Sequence, residues 1–150
     1  MYIFVTYIMK KLVYILTSLS LLFPQTIYEE IIYLDNGDSD TFAYQIPDNY
    51  NENQSHPLLV AFHQWGGNHM STLSTEFDEE ANSRNWIFLS PNGGSSNNYN
   101  HQGAQLMVLE EIKWIQERYN IDKTRIYMVG GSMGGAAGAI FANNHLNPDE

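Results

Sequence analysis

The 150-residue chain carries 17 acidic against seven basic side chains, a formal charge of −10, and no cysteine. One domain with a real core fits this length, and 43% hydrophobic against 16% charged residues argues against wholesale disorder. The acidic balance argues against a nucleic-acid binder, which needs cations for phosphates, and the lack of cysteine excludes disulfides, thiolate metal sites and a cysteine nucleophile.

Residues 1–23 are uncharged apart from Lys10 and Lys11. From Met9 onward the order is two lysines, an uncharged run from Leu12 to Leu22, then Pro24. A short basic region followed by about 7–15 apolar residues is the plan of a secretory signal peptide. The run is too short to span a bilayer, which takes about 20 residues. Residues 1–26 are therefore expected to be a signal peptide, with Met9 as the true start and cleavage near Ser20 or Thr26. A retained anchor is the alternative, although no stable membrane anchor is expected. Removing residues 1–26 leaves five basic residues against 17 acids, a charge of −12. The product is expected to be secreted or periplasmic, with residues 27–150 as the folded part.

Glu30–Leu34 and Thr41–Ile46 read as strands joined at Asp35-Asn36-Gly37-Asp38, since Asn-Gly is a strong hairpin signal. The acidic cluster lacks calcium-loop spacing and its bidentate Glu, so no metal is expected there. Asp48–Ser55 is a polar loop containing a formal glycosylation sequon at Asn53. Leu58–Phe62 is a continuous apolar run, expected to be a strand buried on both faces. Leu73, Phe77 and Ala81 recur at helical spacing. Trp86–Leu89 is a second buried run, closed by Ser90-Pro91-Asn92-Gly93-Gly94, and Ser95–His101 reads as loop. Val108, Ile112, Ile115 and Tyr119 define an amphipathic helix, with Glu110, Glu111, Lys113 and Glu117 assigned to its polar side. Arg125–Val129 is a third buried run, leading into a Gly/Ala-rich helix from about Met133 to Asn143. A hairpin followed by three strand–helix units implies an α/β fold, a mostly parallel sheet with helices on both faces.

Gly130-Gly131-Ser132-Met133-Gly134 matches G-x-S-x-G. With glycine at about 7% of average sequence, the pattern arises by chance in roughly one such chain in twenty. Context sharpens it, because it sits where a buried strand meets a helix of small residues, as a nucleophile turn requires. Ser132 would occupy a strained turn lifting Oγ clear, with Gly130 and Gly134 leaving room where strand and helix meet. The Met133 N–H lies at the helix start, where the dipole favours an oxyanion. The plain alternative is a glycine-rich turn with an ordinary serine. Directly after the first buried strand comes His63-Gln64-Trp65-Gly66-Gly67-Asn68, where such folds place the second oxyanion N–H. Gly66 and Gly67, with Gln64, would let backbone approach a substrate. His63 is expected to be a structural, hydrogen-bonded residue, and Trp65 either lines an acyl pocket or packs on its loop.

From about Ile46 to Asn147 the chain resembles secreted α/β-hydrolases of the polyhydroxybutyrate depolymerase and feruloyl esterase group, with prolyl-oligopeptidase-type relatives. The matching residues are Pro57–His63 running into Trp65–Asn68, Leu89–Gly93, and Ile121–Tyr127 leading into Gly130–Gly135. Gln64 stands where the family commonly has glycine. The resemblance implies an α/β-hydrolase fold, Ser132 as nucleophile, and Met133 and Trp65 N–H groups as oxyanion donors. It implies a carboxylic ester substrate, a polymer or plant-wall ester among the options, with no organic cofactor and no metal.

The fold supplies its triad in the order Ser, Asp/Glu, His. His145 is the sole histidine after Ser132, and a helix rising about 1.5 Å per residue carries it roughly 20 Å away. His56, His69 and His101 precede Ser132 without metal-ligand spacing and are expected to be surface loop residues. The acid and base are thus expected outside this chain, which reads as the N-terminal part of an exported serine esterase, cut after the nucleophile helix and inactive alone. The alternatives are an exported serine peptidase of prolyl-oligopeptidase type and a truncated, non-catalytic binding module. The strand Arg125–Val129 is expected at an exposed edge.

Overall fold

The computed structural model describes residues 25–98 and 100–145. Nearly all of the proposed signal peptide lies outside the described residues. Among the described residues no helix is long and apolar enough to cross a membrane.

Five strands form one sheet in the order β1-β2-β4-β3-β5. β1 (Tyr28–Tyr33) and β2 (Ser39–Gln45) make the expected hairpin. Its connection is longer than a two-residue Asn-Gly turn. Gly37 N donates to Leu34 O and Leu34 N to Asp38 O, and Gly37 alone takes a positive φ, of 89°. This is a turn with a glycine bulge, which needs the left-handed conformation once.

β2 pairs antiparallel with β4 (Ile87–Pro91), and β3 (His56–Phe62) lies parallel between β4 and β5 (Ile121–Gly130). Flanked on both edges, β3 and β4 are buried almost throughout, as their unbroken apolar runs require. β5 is not the third buried run that its apolar stretch suggested, and it lies at the sheet edge, as expected. Its outer edge has no partner strand among the described residues, and Tyr127 is 42% exposed, stacked on Trp86.

The two-residue alternation of the strands divides the core. Phe42, Tyr44, Leu58, Val60, Ile87 and Leu89 face helices α2 (Gln102–Arg118) and α3 (Met133–Asn144). Ala43, Ala61 and Phe88 face α1 (Glu76–Ser83) together with Leu73 and Ala81. Helices therefore cover both faces, as predicted. α1 starts later than its spacing suggested: Leu73 precedes the helix, and Phe77 is exposed. A capping box sets that start. Thr75 Oγ1 accepts from Phe77 N (3.1 Å), while Asp78 accepts from Thr75 N (2.7 Å) and Ser74 N (2.9 Å). Thr75→Ala is expected to lower unfolding free energy by about 1 kcal/mol, read from urea midpoints, with exposed Glu76→Ala nearly silent.

Glu111 departs most from the sequence reading. It is fully buried against the sheet, not on the polar side of α2. At three residues from Val108 and four from Ile115, it belongs to the apolar stripe by position. His56 is the second correction. It is buried at the start of β3, with Nδ1 3.0 Å from Asn85 O and the ring 4.8 Å from that of Tyr50.

Candidate active site

Successive connections leave adjacent strands toward opposite faces on either side of β3: β3 leads to α1, whereas β4 and β5 lead to α2 and α3. In open α/β sheets this divergence opens a crevice beyond the carboxyl ends of the strands. Two segments singled out in the sequence meet there, the turn after β5 and the loop after β3.

β5 ends at Gly130, opposite Phe62 of β3. The chain turns through Gly131 and Ser132 into α3, and Gly134 N donates to Gly131 O (2.9 Å). Ser132 has φ 54° and ψ −121°, backbone that costs a non-glycine residue about 1–3 kcal/mol. Its side chain caps nothing and the residue is exposed, so Oγ stands clear of the fold. Met133 is buried, and its N–H is among the first amides of α3, which no intrahelical carbonyl serves. The small residues behind this turn are required by close approach. A Cβ on Gly130 would stand 2.5 Å from the carbonyl carbon of Gly134, and one on Gly134 would overlap the carbonyl oxygen of Phe62.

That approach also brings the His63 loop to the turn, since the Gly134 Cβ position is 2.8 Å from His63 O. His63 is structural, as expected: it is buried, with Nδ1 2.8 Å from Gln64 O and Nε2 2.9 Å from Asn92 O. Gln64 and Trp65 are exposed, Trp65 by 56%. The amides of the two glycines are engaged within the loop region. Gly66 N donates to Ser96 O (2.8 Å) and Gly67 N to Gln64 O (2.9 Å), so both amides are occupied. Gly67 is also buried, with room for a Cβ only 2.9 Å from Ser71 Oγ, and it serves the turn. A cavity of about 10 Å³ lies behind the site among Phe62, His63, Asn92, Val108 and Met133, room for about one water molecule.

The remaining histidines are engaged away from Ser132. His69 Nε2 pairs with Glu29 (2.8 Å), and His101 Nδ1 caps α2 by accepting from Ala104 N (3.2 Å). His56 sits at the opposite end of β3 from Phe62, and His145 follows the far end of α3. Of the three histidines expected at the surface, His69 and His101 are there and His56 is not. No cluster of three metal-ligating side chains occurs among the described residues.

Sequence reasoning missed a buried polar chain behind the loop. Asp40 lies on the row of β2 that holds Phe42 and Tyr44, facing α2, and its Oδ1 accepts from Asn92 Nδ2 (3.1 Å). Asp40 Oδ2 and both Glu111 oxygens have no donor as carboxylates. Burial first, then the charge and hydrogen bond of Asp40, push the Glu111 carboxyl well above the ordinary value of 4.5. Strand alternation at Asp40 and helical spacing at Glu111 are the signals that mark both as buried.

This sheet order, with its exposed serine on a strained strand-to-helix turn, is an α/β-hydrolase fold. Solved structures agree. An S-formylglutathione hydrolase from Agrobacterium tumefaciens superposes with a TM-score of 0.69 at 14% identity, covering 81% of this chain and 54% of that one. A ferulic acid esterase of Anaeromyces mucronatus, solved with ferulic acid, gives 0.61 at 16% identity, with coverage of 81% and 54%. In sequence the chain is similar to a probable feruloyl esterase C of Aspergillus flavus, 30% identical over 101 residues, 63% of this chain and 37% of that protein. The chain thus spans well under two thirds of the length of these relatives. No protein-family model matches it.

Proposed function

We propose that this chain carries the nucleophile side of an exported serine hydrolase of carboxylic esters. The observation that carries the reading is Ser132, exposed at φ 54° on the turn between β5 and α3. Ser132 Oγ attacks the ester carbonyl, the alcohol departs with a proton, and water then cleaves the acyl-enzyme, releasing acid and restoring the serine. The Met133 N–H holds the oxyanion, with the Trp65 N–H as second donor, since fixed backbone amides stabilise the charge that develops on the carbonyl oxygen. The histidine and acid come from outside the described residues, because all five histidines here are engaged elsewhere. Similarity to feruloyl esterases supports a plant-wall aromatic ester as substrate class. The leader pattern that begins at Met9 supports export.

Fluorophosphonate labelling and hydrolysis of methyl ferulate by the natural full-length product test this. Labelling with ester turnover is expected, whereas the 150 residues alone should turn over little. Labelling with a preference for peptide substrates would instead support a peptidase. Absence of labelling in a folded product would leave a binding module.

A further inference from the structure

We propose that Asp40 and Glu111 are positioning residues for the oxyanion side of the site: a buried carboxylate and carboxylic acid sharing one proton, coupled through Asn92 to the His63 ring. The proposal rests on the preceding reading for the role of the His63–Trp65 loop, but the pair itself rests on the fold.

The coupling is continuous. Glu111, wholly buried on α2, meets Asp40, 3% exposed on β2. Two ionised carboxylates would face each other there without a donor for three of their oxygens, which buried groups do not tolerate. One proton on Glu111 supplies the O–H to Asp40. Asp40 Oδ1 then fixes the Asn92 side chain by accepting from Nδ2 (3.1 Å). The Asn92 carbonyl in turn receives Asn98 Nδ2 (3.1 Å) and lies 2.9 Å from His63 Nε2. His63 Nδ1 lies 2.8 Å from Gln64 O, the same oxygen that closes the turn onto Gly67 N (2.9 Å). A carboxyl pair between α2 and β2 thus sets the backbone that presents Gln64 and Trp65. A purely structural acid would not need this placement, since an apolar side chain of similar volume would fill the site at no desolvation cost.

The surroundings leave the pair alone electrostatically. β1 places Ile32 opposite Asp40, while its Glu29 and Glu30 are exposed. β4 contributes no titratable side chain, and Glu110 of α2 pairs with Lys113 (2.8 Å) near the surface. The folded state binds the Glu111 proton more tightly than the unfolded chain does. The associated stability is therefore full below about pH 4.5 and declines as pH rises toward the folded value.

Three variants of the full-length protein test the proposal: Glu111→Gln, which keeps a donor to Asp40, Glu111→Leu, which removes it, and Asp40→Asn. At pH 7 the wild type should show an infrared band of a protonated, buried carboxyl group that both Glu111 variants lose. The decline of stability above pH 4.5 should flatten in Glu111→Gln. Ring ¹⁵N resonances of His63 should shift in Glu111→Leu and Asp40→Asn and hold in Glu111→Gln. On a ferulate ester, Glu111→Leu should lose about tenfold in kcat at nearly constant KM, with Glu111→Gln within about twofold of wild type. Absence of the band overturns the shared proton, and a His63 ring that ignores all three variants overturns the coupling. If the wild type neither labels nor hydrolyses ester, the functional reading fails, while band and ring signals still decide the pair. Should Glu111→Leu not fold, Asp40→Asn against Glu111→Gln gives the same decision.

Discussion

Ser132→Ala in the full-length product is expected to abolish fluorophosphonate labelling and reduce ester hydrolysis by about 10⁵-fold or more. Removing a serine nucleophile from an acyl-enzyme mechanism leaves only binding and oxyanion stabilisation. Ser132→Gly should lose activity equally but differ in stability. At φ 54° a side chain is strained by about 1–3 kcal/mol, whereas glycine is not. Glycine gives back roughly 0.5–1 kcal/mol through its freer unfolded state. The glycine variant should therefore unfold about 1 kcal/mol later than both wild type and Ser132→Ala, measured by urea midpoints under identical conditions. Equal midpoints for glycine and alanine would mean that the turn stores no strain for Oγ placement. A stabilised but dead Ser132→Gly is the signature of a site that trades stability for activity.

What the sequence made legible follows from how far each signal reaches. The β3 and β4 runs are apolar on both faces because both faces are covered, so composition alone marks them. The turn at Ser132 is local, and its glycines sit where backbone touches backbone, so a five-residue pattern is enough. Edge position is not written in the run itself: β5 ends in an apolar run like that of β3, and its expected place at an exposed edge came from the order of the elements, which the strand order bears out with Tyr127 and its neighbours half open. The Gly66–Gly67 pair is a related case. Glycine marks backbone freedom, but whether the amides face a ligand or the loop itself depends on partners such as Ser96, 30 residues away. Glu111 and His56 were missed because residue type was weighed above position. A charged or imidazole side chain can be buried once a tertiary partner satisfies it, and the partners Asp40 and Asn85 are remote in sequence.

The largest stability effect is expected at Gly134, where Gly134→Ala should cost at least about 3 kcal/mol. Local propensity alone predicts the reverse, because alanine is favoured over glycine in a helix interior by about 1 kcal/mol. The added methyl, however, would overlap the carbonyl oxygen of Phe62 and lie 2.8 Å from both the Phe62 carbonyl carbon and His63 O. These are backbone atoms of the last residue of β3 and the residue after it, and cannot rotate aside as a side chain would. α3 must move off the sheet, opening the contact that Gly138 makes possible, where a Cβ would already meet Met128 Cβ at 3.3 Å. Gly131→Ala is the matched control, since nothing lies within 4 Å of its Cβ position. It should change stability by less than about 1 kcal/mol. The same displacement separates Ser132 and Met133 from the His63–Trp65 loop. The fraction of Gly134→Ala that remains folded should therefore also lose about 100-fold in kcat, as misplacement by about 1 Å does. Near-neutral stability for Gly134→Ala would show that α3 and β3 do not approach as closely as their backbones indicate, and with that the pairing of turn and loop on which the site depends would fail.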